Sequence, residues 1–317
     1  MKAYIRAMCV AMATLGAPGI AAADSYPTQP IKIIVPLSPG GTTDALSRAI
    51  AQDLSKSLGQ PVIIENKPGA NNIIGTRELA KAAPDGYTMG MLISTHAINP
   101  HIAKSLPYDS KKDFIPLALI AIMPGIMTVH PSVPVNNVQE LIALAKAKPG
   151  TLAYGQPGGL SSGHLSMEYL KYLANVDILS VPYKGAGPAL ADLAAGHFQV
   201  LINSPTQTIP LVRDGRLKAL ATTGAKRPAA LSSLPTLAES GFPGFETYEW
   251  YGLFFPAGVA PTIVEKMHGE LMKIMASPAM AKRILDIGAE SSTATPAEFA
   301  MFIDKESDQW GRLIKTL

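Results

Sequence analysis

Short apolar runs alternate along the chain with stretches whose apolar side chains recur every three or four residues. The run at 31–37 predicts a strand, and the stretch after it predicts a helix that ends at Gly59. The apolar face of this helix has a spacing of four and is formed by Leu46, Ile50, Leu54 and Leu58. Runs at 62–66 and 88–94 predict two more strands, with a short helix over 75–83 between them. This βαβαβ order predicts a mostly parallel sheet covered by helices on both faces.

The alternation starts again after a long apolar strand at 115–129 that is interrupted at Pro124. Helices and strands then follow in turn, at 138–146, near Tyr154, and at 165–173, 178–182, 188–195, 200–202 and 217–222. A further apolar strand at 250–256 precedes terminal helices, the last of which opens on the capping box Thr295-Pro296-Ala297-Glu298. We therefore expect a second α/β unit with its own sheet, and about two domains in all.

Residues 1–23 have the features of an export signal. Lys2 and Arg6 precede the apolar stretch 7–15, and Ala21-Ala22-Ala23 supplies the small residues of a cleavage site. The apolar stretch is too short to span a bilayer as an anchor. We expect an exported, soluble mature protein that begins near Asp24.

Composition then excludes two classes of protein. The one cysteine, Cys9, lies in the signal segment, so the mature chain has no disulfide and depends on its apolar core. Without Lys2 and Arg6, 25 basic and 24 acidic side chains remain. No basic cluster interleaved with aromatic residues occurs, which argues against a nucleic-acid partner.

Two segments each combine a strand, a glycine turn, hydroxyl side chains and the start of a helix. They are Pro39-Gly40-Gly41-Thr42-Thr43-Asp44 and Pro157-Gly158-Gly159-Leu160-Ser161-Ser162-Gly163-His164, termed here the first and second glycine junctions. A helix start presents unpaired N–H groups and the positive end of the helix dipole, which bind anions. Neither junction has Lys or Arg before its helix, so the donors would be backbone N–H groups and hydroxyls. Simple turns remain an alternative, and Asp44 either complements the dipole or accepts a hydrogen bond from a ligand.

The second glycine junction also fits the G-x-S-x-G nucleophile elbow of serine hydrolases, with Ser161 as the nucleophile. The candidate acids and bases downstream are Asp177, Asp192, Asp214, His197 and His268. No His-Gly-Gly-Gly loop for an oxyanion hole occurs, so a serine esterase is kept only as an alternative. The six histidines form no metal-binding pattern, and we expect neither a metal nor a cofactor.

Several longer motifs occur in one order along the chain. They are Tyr26-Pro27, Pro39-Gly40-Gly41-x-x-Asp44, Glu65-Asn66-x-Pro68-Gly69-Ala70, Ala83-Pro84-Asp85-Gly86-Tyr87-Thr88, Val181-Pro182-Tyr183-Lys184-Gly185, Leu234-Pro235-Thr236-x-x-Glu239 and Trp250-Tyr251-Gly252. Together they resemble the Bug family of periplasmic solute receptors of tripartite tricarboxylate transporters. The similarity covers nearly the whole mature chain.

The resemblance implies a two-domain periplasmic-binding-protein (venus-flytrap) fold without catalysis. It implies a discontinuous first domain, 24–124 plus 251–317, and a second domain, 125–250, joined by crossover strands near Pro124 and Trp250. The ligand carboxylate would lie between the two junctions. The candidate ligand-binding residues are Pro39, Gly40, Gly41, Thr42, Thr43, Asp44, Thr95, His96, Gly158, Gly159, Leu160, Ser161, Ser162, His164 and Asn203.

Three positions depart from the pattern of the family. Leu160 stands where glycine is usual, Asn71-Asn72 replaces a Gly-Gly pair, and Asn203 stands where aspartate is frequent. The apolar side chain of Leu160 suggests a ligand with an apolar or aromatic body.

We therefore expect a monomeric periplasmic receptor that closes on a small carboxylate and delivers it to the membrane subunits of a tripartite transporter. A ligand sensor for a membrane kinase is an alternative that the sequence does not separate from transport.

Overall fold

The computed structural model describes residues 26–157, 161–227 and 232–316. The predicted signal segment 1–23 and the junction residues Gly158, Gly159 and Leu160 lie outside these ranges. The strands are β1 (Ile31–Val35), β2 (Val62–Asn66), β3 (Thr88–Ile93), β4 (Phe114–Pro124), β5 (Ile126–Val129), β6 (Ala153–Pro157), β7 (Leu179–Tyr183), β8 (Val200–Asn203), β9 (Lys218–Thr222), β10 (Tyr248–Pro256) and β11 (Glu290–Ser291). The helices are α1 (Thr42–Leu58), α2 (Ile73–Ala80), α3 (Thr95–Ile102), α4 (Val138–Ala147), α5 (Ser162–Ala174), α6 (Ala186–Ala194), α7 (Pro205–Arg213), α8 (Pro261–Met275), α9 (Pro278–Asp286) and α10 (Pro296–Ile314).

The strands form two mixed sheets flanked by helices, as the α/β prediction requires. The first sheet has the order β11-β4-β10-β3-β1-β2, and the second has the order β7-β6-β8-β5-β9. Strands of the α/β units pair in parallel, β1 with β2 and β3, and β6 with β7 and β8. The long strands β4 and β10 and the short strand β5 pair antiparallel with their neighbours. Each sheet is therefore mixed rather than mostly parallel.

The chain passes between the sheets twice. β4 ends at Pro124 in the first sheet and β5 begins at Ile126 in the second, with Gly125 between them. A Cβ on Gly125 would lie 2.8 Å from the side chain of Ile202, so this close crossing requires glycine. The chain returns after β9 and enters the first sheet with β10 at Tyr248.

We term the first lobe residues 26–124 and 248–316, and the second lobe the described residues between them. All of β10 pairs with β4, so residues 248–250 belong to the first sheet, although the predicted boundary placed them with the second. The division into domains that move separately stays a prediction.

Helix α1 has the apolar face and the end at Gly59 that its sequence predicts. Leu46, Ile50 and Leu54 are buried on one face against the first sheet. The helix ends where Gly59 adopts a φ of 66°, in the left-handed region that glycine enters without steric cost.

Helix α5 of the second lobe packs onto the core of the first lobe. Its side chain Leu165 is fully buried in an apolar cluster that contains Trp250, Phe299 and Trp310. The hydroxyls of Ser166 and Thr247 lie 2.7 Å apart beside this contact. Helix α5 therefore connects the two lobes close to the point where the chain crosses between them. Among the described residues, no helix is long and apolar enough to cross a membrane.

Candidate functional site

A cleft of about 580 Å³ lies between the two lobes. The first lobe contributes the loop from β1 to α1 and part of β10, and the second contributes the starts of α5, α6 and α7. Eight of the predicted binding residues line it, namely Pro39, Gly41, Thr42, Thr43, Asp44, Ser161, Ser162 and Asn203. Residues of the two glycine junctions, more than 100 positions apart in the sequence, thus border one space.

The first junction opens directly into the cleft. Gly41 is the N-cap residue of α1, and no side chain caps the helix there. The N–H groups of Thr42, Thr43 and Asp44 belong to the first turn and have no partner within the helix. A Cβ on Gly41 would meet no atom within 4 Å, so this glycine borders open space.

The second lobe adds three more helix starts. Ser161 caps α5 by accepting a hydrogen bond from the His164 N–H at 3.4 Å, which leaves the N–H groups of Ser162 and Gly163 toward the cleft. Ala186 at the start of α6 and Ser204 before α7 also line it, and neither helix has a side-chain cap. The described part of the lining contains no Lys, Arg or His. Among the described lining residues, the groups that can favour an anion are therefore the helix starts and the hydroxyls.

Asp44 is held by the protein itself. One carboxylate oxygen accepts the Gly40 N–H at 3.0 Å and the Arg48 Nε at 2.9 Å, and the other accepts Arg48 Nη2 at 3.0 Å and Asn66 Nδ2 at 2.9 Å. The hydrogen bonds from Arg48 contribute most to lowering the pKa of Asp44 to about 2. Asp44 therefore shapes the first junction, and Arg48 balances its charge, so the carboxylate does not repel an anion strongly.

Glu249 is a cleft residue that the sequence did not indicate. Its Oε1 accepts the N–H of Ser94 at 3.2 Å and the hydroxyl of Ser94 at 2.8 Å, and its Oε2 accepts the Ser162 hydroxyl at 3.0 Å. It thereby joins the start of α3 in the first lobe to the start of α5 in the second. Burial raises the pKa of Glu249, while the bonds from Ser94 and Ser162 and the Trp250 backbone oppose this rise.

Gly40 and His164 do not line the cleft, in contrast to the prediction. The N–H of Gly40 is directed to Asp44, where it fixes the loop. The ring of His164 is buried, its Nδ1 lies 2.7 Å from the hydroxyl of Tyr154, and the two rings stack. Because Tyr154 also donates to Glu168, His164 is a donor in this buried network rather than a group that faces a ligand.

Thr95 and His96 were also placed wrongly at the cleft. The chain turns into α3 at Thr95, so the expected strand end becomes the first turn of a helix. His96 points into the core, with its ring 5.0 Å from those of Phe114 and Phe254, and burial lowers its pKa to about 4. The hydroxyl of Thr95 accepts a hydrogen bond from Asn72 at 2.7 Å.

The Asn71-Asn72 pair has a structural explanation. Asn71 and Asn72 have φ values of 51° and 72°, in the left-handed region that asparagine tolerates better than most residues. The amide of Asn71 also donates to Asn99 Oδ1 at 2.7 Å. Asparagine therefore supplies here the backbone freedom of glycine and adds a bond to α3.

The residues required for a serine esterase do not assemble. His197 pairs with Asp192 near the end of α6, whereas the start of α6 faces the cleft, roughly 10–15 Å away at 1.5 Å per residue. His268 lies on α8, where its Nδ1 is 2.9 Å from the carbonyl oxygen of Leu117. Ser161 thus has neither histidine beside it and serves as a helix cap.

Two α/β lobes joined by two crossings, with helix starts from both directed into one cleft, define the class of two-lobed solute-binding proteins. Residues 46–317 match the model of the tripartite tricarboxylate transporter family receptor, and the chain belongs to that family. Members of this family are periplasmic solute-binding receptors and not enzymes, which removes the esterase alternative.

Individual relatives cover nearly the whole chain. BugT of Bordetella pertussis is 32% identical over 317 residues, with 99% of this chain and 97% of BugT covered. The structure of R. palustris Rpa4515 with adipate is 37% identical, has a TM-score of 0.81, and covers 92% of this chain and 98% of its own. The structure of MatC from Rhodopseudomonas palustris with bound malate is 30% identical, has a TM-score of 0.77, and covers 91% of this chain and all of its own.

Proposed function

We propose that this protein is a monomeric periplasmic receptor that binds a small carboxylate in the cleft and delivers it to the membrane subunits of a tripartite tricarboxylate transporter. Residues 1–23 would direct its export. The observation that carries the proposal is the convergence of uncapped helix starts from both lobes on one cleft. Adipate and malate in two related structures support a carboxylate as the ligand.

The donors of the cleft suit a carboxylate that must be released again. Backbone N–H groups and hydroxyls bind an anion without the cost of desolvating a cation. Gly41 lets the ligand approach the backbone closely, and Thr42, Thr43 and Ser162 add hydroxyls around it.

Binding would bring the lobes together. A carboxylate that contacts the start of α1 and the start of α5 at once favours the closed arrangement over one in which the lobes are apart. The chain crosses between the lobes at Gly125 and again just before Tyr248, and hinge motion would be concentrated at these two places. The membrane subunits would then distinguish the loaded from the empty receptor.

A thermal-shift screen of the purified mature protein tests the binding step. Aliphatic, amino and aromatic carboxylates are compared with the corresponding amides and alcohols, since a ligand of the folded state raises the melting temperature. We expect stabilisation by carboxylates, and aromatic ones would support the role inferred for Leu160. Stabilisation by uncharged compounds alone would contradict an anion site.

Delivery is tested separately by uptake of the labelled carboxylate in cells with and without the receptor gene. Loss of uptake with intact expression of the membrane subunits is expected for a transport receptor. Unchanged uptake combined with a lost transcriptional response would instead identify a sensor.

A further inference from the structure

Glu249 puts into the cleft a carboxyl group that has no cationic partner among the described residues. Asp44, the other acid of the lining, is paired with Arg48. Around Glu249 the hydrogen-bond donors are neutral: the backbone N–H and hydroxyl of Ser94, the hydroxyl of Ser162 and the backbone of Trp250. A partly buried carboxylate supported only by neutral donors gains from any further donor that reaches it.

The two oxygens of Glu249 differ in their free capacity. A carboxylate oxygen accepts about two hydrogen bonds. Oε1 already accepts two, both from Ser94, whereas Oε2 accepts one, from Ser162. Oε2 therefore accepts fewer of these serine hydrogen bonds than Oε1, and it is the oxygen bonded to the second lobe.

Ser162 places this position beside the carboxylate site. Its backbone N–H belongs to the first turn of α5, and its hydroxyl donates to Oε2 at 3.0 Å. Oε2 thus lies one serine side chain away from the backbone N–H at the start of α5, where the ligand carboxylate is proposed to bind. A donor that reaches Oε2 must be on a carbon close to the ligand carboxylate.

We propose that Glu249 is a specificity-determining residue, whose Oε2 accepts a hydrogen bond from a hydroxyl or ammonium group next to the ligand carboxylate. The receptor then selects hydroxy or amino acids over unsubstituted carboxylates of the same length. This inference rests on the proposed function of the cleft as a carboxylate site.

Calorimetric titration of the mature protein with matched ligands tests the selection. The sets are malate and aspartate against succinate, lactate and alanine against propionate, and 2-hydroxyadipate and 2-aminoadipate against adipate. One of these sets should have the chain length that fits the cleft. In that set, we expect a hydroxy or amino member to bind at least tenfold more tightly than the unsubstituted member, which is the usual effect of one hydrogen bond to a charged group. Preference for the hydroxy or the amino member identifies the donor.

The variant Glu249→Gln tests the residue itself. Its amide oxygen still accepts from Ser94, but its NH2 group takes the place of Oε2. An NH2 group cannot accept a hydrogen bond from the hydroxyl or ammonium group of a ligand. We expect the ratio of the affinities for the substituted and unsubstituted ligands to fall by at least tenfold, while the unsubstituted ligand still binds. Glu246→Gln is the matched control, because Glu246 pairs with Lys305 at 2.9 Å and does not line the cleft. It should keep the wild-type preference.

Three results would overturn the inference. The first is a wild-type protein that binds every unsubstituted ligand as tightly as, or more tightly than, its hydroxy and amino counterparts. This result contradicts the inference even if Glu249→Gln fails to fold. A folded Glu249→Gln protein that keeps the wild-type preference removes it as well. If no carboxylate of any set binds, the proposed function fails together with it, whereas carboxylate binding without a preference contradicts only the role of Glu249.

Discussion

The substitution Asp44→Asn tests what holds the first glycine junction in place. The carboxylate of Asp44 is 5% exposed and accepts four hydrogen bonds, from Gly40, Arg48 and Asn66. Its pKa of about 2, against an ordinary 3.8, corresponds to about 2 kcal/mol of stability at 1.36 kcal/mol per unit. Asparagine offers an NH2 group where an oxygen accepts two donors, so we expect a loss of at least about 2 kcal/mol in unfolding free energy at pH 7.

The pH dependence of this loss is the sharper test. Because the folded pKa lies below the unfolded one, the stabilisation by Asp44 is complete above about pH 5 and disappears as the pH falls toward 2. The difference between wild type and Asp44→Asn should therefore shrink by about 1 kcal/mol between pH 5 and pH 3. Urea unfolding followed by circular dichroism at pH 7, 5, 4 and 3 measures both quantities.

The control is Asp53→Asn in the same helix. Asp53 pairs with Lys56 at 3.1 Å, and Lys56 is 67% exposed, so its removal should cost less than about 0.5 kcal/mol. A cost for Asp44→Asn as small as that of the control would refute the structural role of Asp44. A difference that stays constant from pH 5 to pH 3 would show that its charge is not involved.

Three further substitutions test the cleft, the contact between the lobes and a buried acid. Gly41→Val should weaken carboxylate binding more than tenfold while the ligand-free melting temperature changes little, because its Cβ fills open space in the cleft. Thr206→Val removes the hydroxyl bond to the Ile287 carbonyl oxygen at 2.7 Å, which joins the lobes, and should weaken ligand affinity about two- to fivefold in calorimetry. Burial raises the pKa of Glu306 to about 8, so stability falls as the pH rises from 4.5 to 8; Glu306→Gln should remove this fall, roughly 2–4 kcal/mol in urea unfolding.

Each of these expectations has an outcome that contradicts it. Wild-type affinity in Gly41→Val would mean that the ligand does not approach the first junction. Unchanged affinity in Thr206→Val would mean that the contact between α7 and the loop after α9 does not accompany binding. A Glu306→Gln protein whose stability varies with pH between 4.5 and 8 as the wild type does would show that Glu306 is ionised in the folded state.

The sequence predicted the parts of the fold that depend on local pattern. Leu46, Ile50 and Leu54 specify one buried face of α1. The end of α1 was predictable because Gly59 readily adopts the left-handed backbone conformation that ends a helix. Helix α3 escaped prediction because it begins only two residues after β3 ends at Ile93, and because Pro100 lies inside it. Helix α7 escaped it because Pro205 and Pro210 resemble turn signals.

The sequence predicted those parts of the candidate site that are formed by consecutive residues. The junction from Pro39 to Asp44 carries its strand, turn and helix start in consecutive residues. Glu249 lies in an apolar strand, and its main contact, Ser94, is 155 positions away. No periodicity signals such a pair, and the same limit applies to His96, whose direction depends on where Phe114 and Phe254 pack.

A cleft without Lys, Arg or His in its described lining has a consequence for how fast the ligand arrives. Helix starts act within their first turn, whereas full charges act over a Debye length of about 10 Å at 0.1 M salt. A carboxylate would therefore reach this cleft by unassisted diffusion, without the acceleration that a cationic funnel gives. The association rate constant should therefore not fall as the ionic strength rises, so a receptor built in this way still collects its ligand in saline surroundings.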